Sequence, residues 1–91
     1  MLLKVKQIFL YSRDECELCD KALAMVQEVL AASNTPAVTA QWDVVKVDIT
    51  KDATLSEKFG WHIPVIERTD TNALLYWPFP PSRLRDFLAN A

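Results

Sequence analysis

The sequence predicts an α/β fold in which a central four-stranded mixed sheet is flanked by three helices, in the order βαβαββα. Runs of β-branched and aromatic residues alternate with segments whose apolar residues recur every three or four positions. A helix joins the first two predicted strands, as is usual between parallel neighbours, whereas a short turn joins the last two. With 91 residues and 51% hydrophobic composition, we expect a single domain over residues 1–91.

A change of period separates the first strand from the first helix. Residues 5–11 are rich in branched and aromatic side chains, which is typical of a buried strand. The helix is predicted from about Glu15 to Ala32, because apolar residues then fall on one stripe. That stripe comprises Cys19, Ala22, Leu23, Val26, Val29 and Leu30.

The start of this helix carries two overlapping capping signals. Ser12 with Glu15, and Asp14 with Glu17, both have the spacing of a capping box. We favour Asp14 as the cap, which places Cys16 in the first turn of the helix.

Turn and breaker residues delimit the next elements. Residues 33–36 end the first helix, and residues 42–49 form the second strand. A second helix is predicted over Ala53–Phe59. Its expected C-cap is Gly60, the only glycine in the chain.

The carboxyl-terminal third predicts a hairpin followed by a helix. Strands at residues 63–68 and 73–77 flank the turn-rich residues 69–72. The last helix opens at residues 80–82, where two prolines precede a serine.

Composition and charge exclude several partners. Ten basic and twelve acidic residues give a net charge of −2 without a basic stripe, so we do not expect nucleic acid to bind. No apolar run reaches the roughly 18 residues that span a bilayer, and Lys4 and Lys6 interrupt the apolar start of the chain. We therefore expect a cytoplasmic monomer without a membrane partner.

The two cysteines, Cys16 and Cys19, are three residues apart at the predicted helix start. Lasting disulfides are rare in the cytoplasm, so we expect a reactive or metal-binding pair rather than a permanent cross-link. In a first helical turn this spacing puts both side chains on one side, with Cα atoms roughly 5–6 Å apart, within the range of a disulfide.

The two thiols have different expected roles. The free amides and the positive end of a helix favour a thiolate, and Cys16 is the outermost sulfur, so we expect it to be the nucleophile. Cys19 lies one turn deeper on the apolar stripe, and we expect it to resolve a mixed disulfide formed on Cys16.

Two other interpretations of the cysteines stay open. They can simply pack inside the first helix, because thiols are often buried. A zinc site would have to complete Cys16, Cys19 and His62 with carboxylates. We predict neither a metal nor a cofactor.

Three segments resemble the glutaredoxins, a family of the thioredoxin-fold superfamily. After the first strand, the chain looks like a glutaredoxin active-site loop over Tyr11-Ser12-Arg13-Asp14-Glu15-Cys16-Glu17-Leu18-Cys19. A second segment resembles another hallmark of the family, namely Gly60-Trp61-His62-Ile63-Pro64-Val65. The small bacterial glutaredoxin-like proteins carry a C-terminal segment similar to Trp77-Pro78-Phe79. The resemblance covers nearly the whole chain and implies a thioredoxin-like (glutaredoxin-like) fold.

The resemblance also implies a function in redox homeostasis. A protein of this kind is a thiol-disulfide oxidoreductase that reduces protein or low-molecular-weight disulfides, with glutathione or a thioredoxin-reductase-type enzyme as reductant. In this fold a cis-proline faces the dithiol, and the residue before it offers backbone hydrogen bonds to an extended thiol substrate. By resemblance these roles fall on Pro64 and Ile63.

Several side chains near these motifs have two possible roles. Arg13 could steer an anionic thiol substrate or be a solvated loop charge. Tyr11 could border the sulfur or end the core of the first strand. His62 could accept a proton from Cys16 or be an exposed residue without a role. The aromatic residues could form a docking face or belong to the core, namely Trp61, Trp77 and Phe79.

Two departures from the family predict poor use of glutathione. Glutaredoxins continue from the fourth strand into a Gly-Gly pair that holds part of glutathione, whereas residues 76–81 contain three prolines and no glycine. Carboxylates also outnumber cations by two around the dithiol, which disfavours a thiolate and repels glutathione. These charged residues are Asp14, Glu15, Glu17 and Asp20 against Arg13 and Lys21. The alternative hypothesis is a protein-binding or redox-sensing adaptor without catalytic turnover.

Overall fold

The computed structural model describes residues 6–32 and 42–89. The strands are β1 (Lys6–Ser12), β2 (Trp42–Asp48), β3 (Val65–Arg68) and β4 (Leu74–Tyr76); the helices are α1 (Glu17–Ala32), α2 (Ala53–Phe59) and α3 (Pro81–Ala89). A 3-10 turn, Ile49–Lys51, joins β2 to α2. The predicted order βαβαββα is confirmed. Val5 and residues 33–36, to which we assigned a strand start and a helix end, lie outside the described residues.

The four strands form one mixed sheet in the order β2-β1-β3-β4. β1 and β2 are parallel, whereas β3 is antiparallel to both β1 and β4. Tyr11 lies opposite Val65, and Val65 lies opposite Tyr76. The carboxyl ends of β1, β2 and β4 therefore meet the amino end of β3 at one edge of the sheet, which we call the dithiol end because α1 begins there with the cysteines.

Side chains alternate between the two faces of the sheet, and each face is covered by helices. Ile8 and Leu10 of β1 belong to a buried cluster that also includes Val26 of α1 and Leu84 of α3. The next residue along, Tyr11, belongs to a second cluster with Ile49, Phe59 of α2 and Val65. The predicted mixed sheet flanked by three helices is confirmed. Among the described helices, none is both long and apolar enough to cross a membrane.

The second helix has the predicted bounds because both of its ends are marked locally. The carboxylate of Asp52 accepts hydrogen bonds from the amides of Thr54 and Leu55 at 2.9 and 3.3 Å. Gly60 is the C-cap, but its φ of −53° and ψ of −31° are right-handed. Glycine is favoured at this position because there is no space for a side chain: a Cβ would lie 2.4 Å from the carbonyl oxygen of Ser56.

The end of the sheet opposite the dithiol is held by a buried guanidinium. Arg68 is only 2% exposed, and its Nε and Nη2 donate to the two carboxylate oxygens of Asp70 at 3.0 and 2.7 Å. Its Nη1 donates to the carbonyl of Phe87 at 2.8 Å, which ties the last turns of α3 to β3. The hydrogen bond from Arg68, followed by its charge, lowers the pKa of Asp70 from its usual value.

Candidate active site

Cys16 and Cys19 form a disulfide with a Cα–Cα distance of 5.2 Å, within the range expected from their spacing. The side chain of Cys19 is completely buried, because α1 packs onto the sheet through that side. Cys16 is partly exposed at the surface. Of the two cysteines, therefore, only Cys16 is exposed to a partner in solution.

The first helix begins at Glu17, two residues later than predicted. Glu15 has a φ of 58°, a left-handed conformation that cannot continue into a helix. Cys16 stands at the N-cap instead, and its carbonyl accepts the amide of Asp20 at 3.1 Å. The prediction that Asp14 caps the helix and that Cys16 lies in its first turn is therefore wrong.

The sulfur of Cys16 takes the place of a capping oxygen. Its Sγ accepts a hydrogen bond from the backbone amide of Cys19 at 3.1 Å. Such a donor, together with the positive end of the helix, stabilises negative charge on sulfur when the disulfide is opened. The local backbone thus provides an environment suited to a thiolate on Cys16.

The segment before β3 lies beside the dithiol loop. Because Tyr11 is opposite Val65, the neighbouring residues Ser12 and Pro64 are adjacent across the two strands. The peptide bond between Ile63 and Pro64 is cis, as the resemblance implied.

The backbone groups around this proline are only partly available. The amide of Ile63 donates to the carbonyl of Phe59 at 3.1 Å, and the carbonyl of Pro64 accepts the amide of Trp77 at 3.1 Å. Within residues 6–32 and 42–89, the carbonyl of Ile63 accepts no hydrogen bond. Substrate binding by Ile63 stays a prediction, now restricted to its carbonyl as an acceptor.

Tyr11 is a core residue in this structure. Its ring stacks on that of Phe59 with centroids 4.5 Å apart, and its hydroxyl donates to Oε1 of Glu67 at 2.5 Å. Burial, then the hydrogen bond to Glu67 and its charge, raises the pKa of the phenol well above its usual value. The observed packing agrees with the second possibility, that Tyr11 ends the core of the first strand. A role for Tyr11 beside the Cys16 sulfur stays untested.

Arg13 borders a groove of about 310 Å³ next to the dithiol loop. The groove is lined by Arg13, Ile49, Thr50, Ser56, Gly60 and Trp61. The arginine is exposed, so its guanidinium can reach an anion in solution. Its role in steering a substrate stays a prediction.

The three aromatic residues that could belong either to a docking face or to the core differ in their burial. Phe79 is 2% exposed in the core, and Trp77 packs against the same cluster, with its ring centroid 5.1 Å from that of Phe79. Trp61, by contrast, is 95% exposed. The exposed His62 lies edge-on to the ring of Tyr76 at 5.6 Å, and a proton-transfer role for it stays untested.

Three features of the site were not anticipated. The peptide bond between Trp77 and Pro78 is cis, and the residue types give no signal of it beyond the proline itself. Ser12 is 1% exposed, and its Oγ has no hydrogen-bond partner within the described chain. Leu18 and Tyr76 are substantially exposed, which their apolar character alone did not suggest.

Comparisons with known proteins agree with this architecture. The model of the glutaredoxin-like domain (DUF836) matches residues 7–89. The X-ray structure of target protein XcR50 from X. campestris is 32% identical, with a TM-score of 0.74, over 92% of this chain and 97% of that chain. The solution structure of the same target is also 32% identical, with a TM-score of 0.70, over 92% and 94%. The chain therefore belongs to the glutaredoxin-like domain family.

More distant structures share the fold alone. Protein Ne2328 from Nitrosomonas europaea is 14% identical, with a TM-score of 0.73, over 96% of this chain and 95% of that chain. Thioredoxin 1 from Thermosipho africanus TCF52B is 15% identical, with a TM-score of 0.55, over 88% and 86%. The comparison with curated proteins gives no match. A thioredoxin-like fold with a cysteine pair at disulfide distance suggests a redox function.

Proposed function

We propose that this protein is a thiol-disulfide oxidoreductase that reduces protein or low-molecular-weight disulfides. The observation that carries the proposal is the pairing of a partly exposed Cys16 at a helix N-cap with a buried Cys19 in bonding reach. Cys16 is the nucleophile, because its sulfur receives a backbone amide and is accessible. Cys19 is the resolving thiol.

The reaction proceeds through two exchanges of a disulfide bond. The Cys16 thiolate bonds to one substrate sulfur, the substrate S–S bond breaks, and the other sulfur leaves and takes a proton from solvent. Cys19 gives up its proton and bonds to the Cys16 sulfur, which releases the second substrate thiol. The substrate has gained two electrons and two protons, and an external reductant, for which a thioredoxin-reductase-type enzyme fits this site better than glutathione, restores the dithiol.

The cis-proline segment is the proposed docking line for the substrate backbone. Pro64 keeps the segment before β3 next to the dithiol loop, and the carbonyl of Ile63 accepts an amide from the bound substrate. The amide of Ile63 is already bonded to Phe59, so the substrate gains one backbone hydrogen bond here.

Glutathione is a poor substrate in this proposal. Residues 77–81 include three prolines, which lack an amide donor, where glutaredoxins have glycines. The exposed carboxylates of Asp14, Glu15 and Glu17 repel the carboxylates of the tripeptide. Both effects act in the same direction.

Redox titration of the Cys16–Cys19 couple tests the assignment of oxidoreductase against that of an inactive adaptor. We expect a reversible loss of two hydrogens by mass spectrometry at potentials near the cytosolic range. Cys16→Ser should abolish disulfide reduction, whereas Cys19→Ser should accumulate a mixed disulfide with the substrate. A protein that stays fully reduced, or reduces no disulfide while cycling, would favour the adaptor.

Deglutathionylation kinetics test the glutathione prediction. Replacing Glu15 and Glu17 by lysine should speed the reaction with glutathione mixed disulfides by roughly three- to tenfold, more at low salt than at high salt. Glu28→Lys, an exposed reversal of one carboxylate three turns along α1, is the control and should have little effect. Wild-type deglutathionylation rates equal to those of ordinary glutaredoxins would contradict the prediction that this protein uses glutathione poorly.

A further inference from the structure

The large apolar side chains that the described part of the chain exposes are three in number, and all lie at the dithiol end. Leu18 is 46% exposed and stands between the two cysteines. Trp61 is 95% exposed in the loop before Pro64, and Tyr76 is 44% exposed at the end of β4. We call Leu18, Trp61 and Tyr76 the apolar rim.

The members of the rim are connected to the site through their neighbours. Trp61 shares the groove beside the dithiol loop with Arg13. Tyr76 lies opposite Val65, the residue after the cis-proline, and its ring contacts that of His62. The rim thus borders both the cysteine loop and the segment that carries the Ile63 carbonyl.

The charge next to the rim is negative. Between residues 13 and 21 the exposed charged residues comprise four carboxylates and two cations; Lys46 of β2 lies 3.9 Å from Asp20, which leaves a local surplus of one negative charge. We call this the acidic segment; its charged members are Arg13, Asp14, Glu15, Glu17, Asp20 and Lys21. It contains Cys16, so any substrate that reaches the sulfur passes through this field.

These two features together indicate the size and charge of the partner. Tryptophan and tyrosine contribute most to binding when a partner covers them and excludes water. A rim that spans α1, the loop after α2 and the end of β4 is covered by a polypeptide segment rather than by a small thiol. The surplus of carboxylates favours a segment with basic residues and disfavours an acidic one.

We propose that the apolar rim and the acidic segment dock a polypeptide substrate whose disulfide is flanked by apolar and basic residues. The proposal rests on the proposed function for the chemistry that follows docking. The rim covers the apolar side chains of the substrate, the acidic segment receives its basic ones, and the Ile63 carbonyl accepts one of its amides. The substrate disulfide then lies over Cys16.

Binding and turnover are measured separately, so that the two proposals can fail independently. Two short synthetic peptides carry one disulfide and the same apolar residues, flanked by lysines in one and by glutamates in the other. Analogues with both cysteines replaced by serine report docking alone, by calorimetry against the oxidised protein. Reduction of hydroxyethyl disulfide, which is small and uncharged, reports the chemistry alone.

We expect the lysine-flanked serine analogue to bind at least roughly tenfold more tightly than the glutamate-flanked one at low salt, with a smaller preference at high salt. Trp61→Ala should weaken binding of the lysine-flanked analogue by roughly tenfold or more, and Glu17→Lys by roughly three- to tenfold. The control Glu28→Lys, exposed on the same helix, should leave this affinity unchanged.

Equal affinity for the two analogues, or an affinity that Trp61→Ala leaves intact, overturns the docking proposal whatever the turnover. No detectable binding of either analogue overturns it as well. Failure to reduce hydroxyethyl disulfide, with binding as expected, removes the oxidoreductase proposal and leaves a docking surface of the same specificity.

Discussion

At the dithiol end of the sheet large apolar side chains are left exposed, whereas the opposite end is held by a buried guanidinium and its hydrogen bonds. Trp61 is almost fully exposed, and each end has one buried polar atom without a partner in the described chain, the Oγ of Ser12 and the Nε1 of Trp42. At the other end, the buried guanidinium of Arg68 binds Asp70 and the carbonyl of Phe87, and it stacks 5.0 Å above the ring of Trp42.

Within the described residues, Glu15 and Asn72 have a positive φ, and they differ in how well their residue types suit it. Asn72, with a φ of 60°, lies in the β3–β4 hairpin, and asparagine is tolerated in the left-handed region. Glu15, with a φ of 58°, lies directly before Cys16. Glutamate adopts this left-handed conformation less readily than asparagine, so the backbone is more strained there. The end opposite the dithiol is therefore tied to α3 by the Arg68 guanidinium, whereas the backbone before Cys16 adopts a left-handed conformation where the helix begins.

The largest stability effect should come from the end opposite the dithiol. Arg68→Ala removes a buried donor to α3 and leaves Asp70 without its main partner, so the free energy of unfolding should fall by about 3 kcal/mol. Urea unfolding measures it. The exposed Arg85→Ala on α3 is the matched control and should change stability by no more than about 0.5 kcal/mol. Equal losses in the two variants would mean that Arg68 does not hold this end together.

A smaller, pH-dependent effect is expected at Asp70. Its pKa is lowered in the folded protein by Arg68, so the ionised carboxylate stabilises the fold above the ordinary value of about 3.9. That contribution is lost as the pH falls through the lowered pKa. Asp70→Asn should therefore cost about 1 kcal/mol at neutral pH and clearly less near pH 2.

Unfolding curves of the wild type and Asp70→Asn at both pH values check this expectation. The exposed Asp43→Asn on β2 serves as the control. A difference between wild type and Asp70→Asn that is independent of pH would contradict the assigned ion pair.

The smallest effects should appear at the two left-handed residues, with opposite signs. Glu15→Asn should raise the free energy of unfolding by about 0.5–1 kcal/mol, because asparagine adopts positive φ more readily. Asn72→Glu should lower it by a similar amount for the same reason. Thermal unfolding of both variants measures the pair, and two changes of the same sign would refute the strain assigned to Glu15.

Features with local signals were predictable from the sequence. The ends of α2 were predicted correctly, with Gly60 as the signal for its C-terminal end; the structure adds Asp52 as its N-cap. The distance between Cys16 and Cys19 follows from their spacing, whichever residue caps the helix. The start of α1 was missed because nothing in the residue type of Glu15 signals a left-handed backbone.

Features that depend on distant parts of the chain could not be predicted. Trp61 and Phe79 are both aromatic, yet one is exposed in a loop and the other is buried with the residues of α3. Composition gives no indication of which side faces solvent. Likewise, the amide of Ile63 is occupied because of the way α2 ends, which no motif near Pro64 reveals.

Limiting alkylation of the reduced protein tests whether Cys16 is the reactive thiol. The protein is reduced, treated at neutral pH with less than one equivalent of iodoacetamide, and digested for mass spectrometry. The label should be found on Cys16, because this residue is partly exposed and its sulfur receives the amide of Cys19, whereas the side chain of Cys19 is buried. Label found first on Cys19 would contradict it.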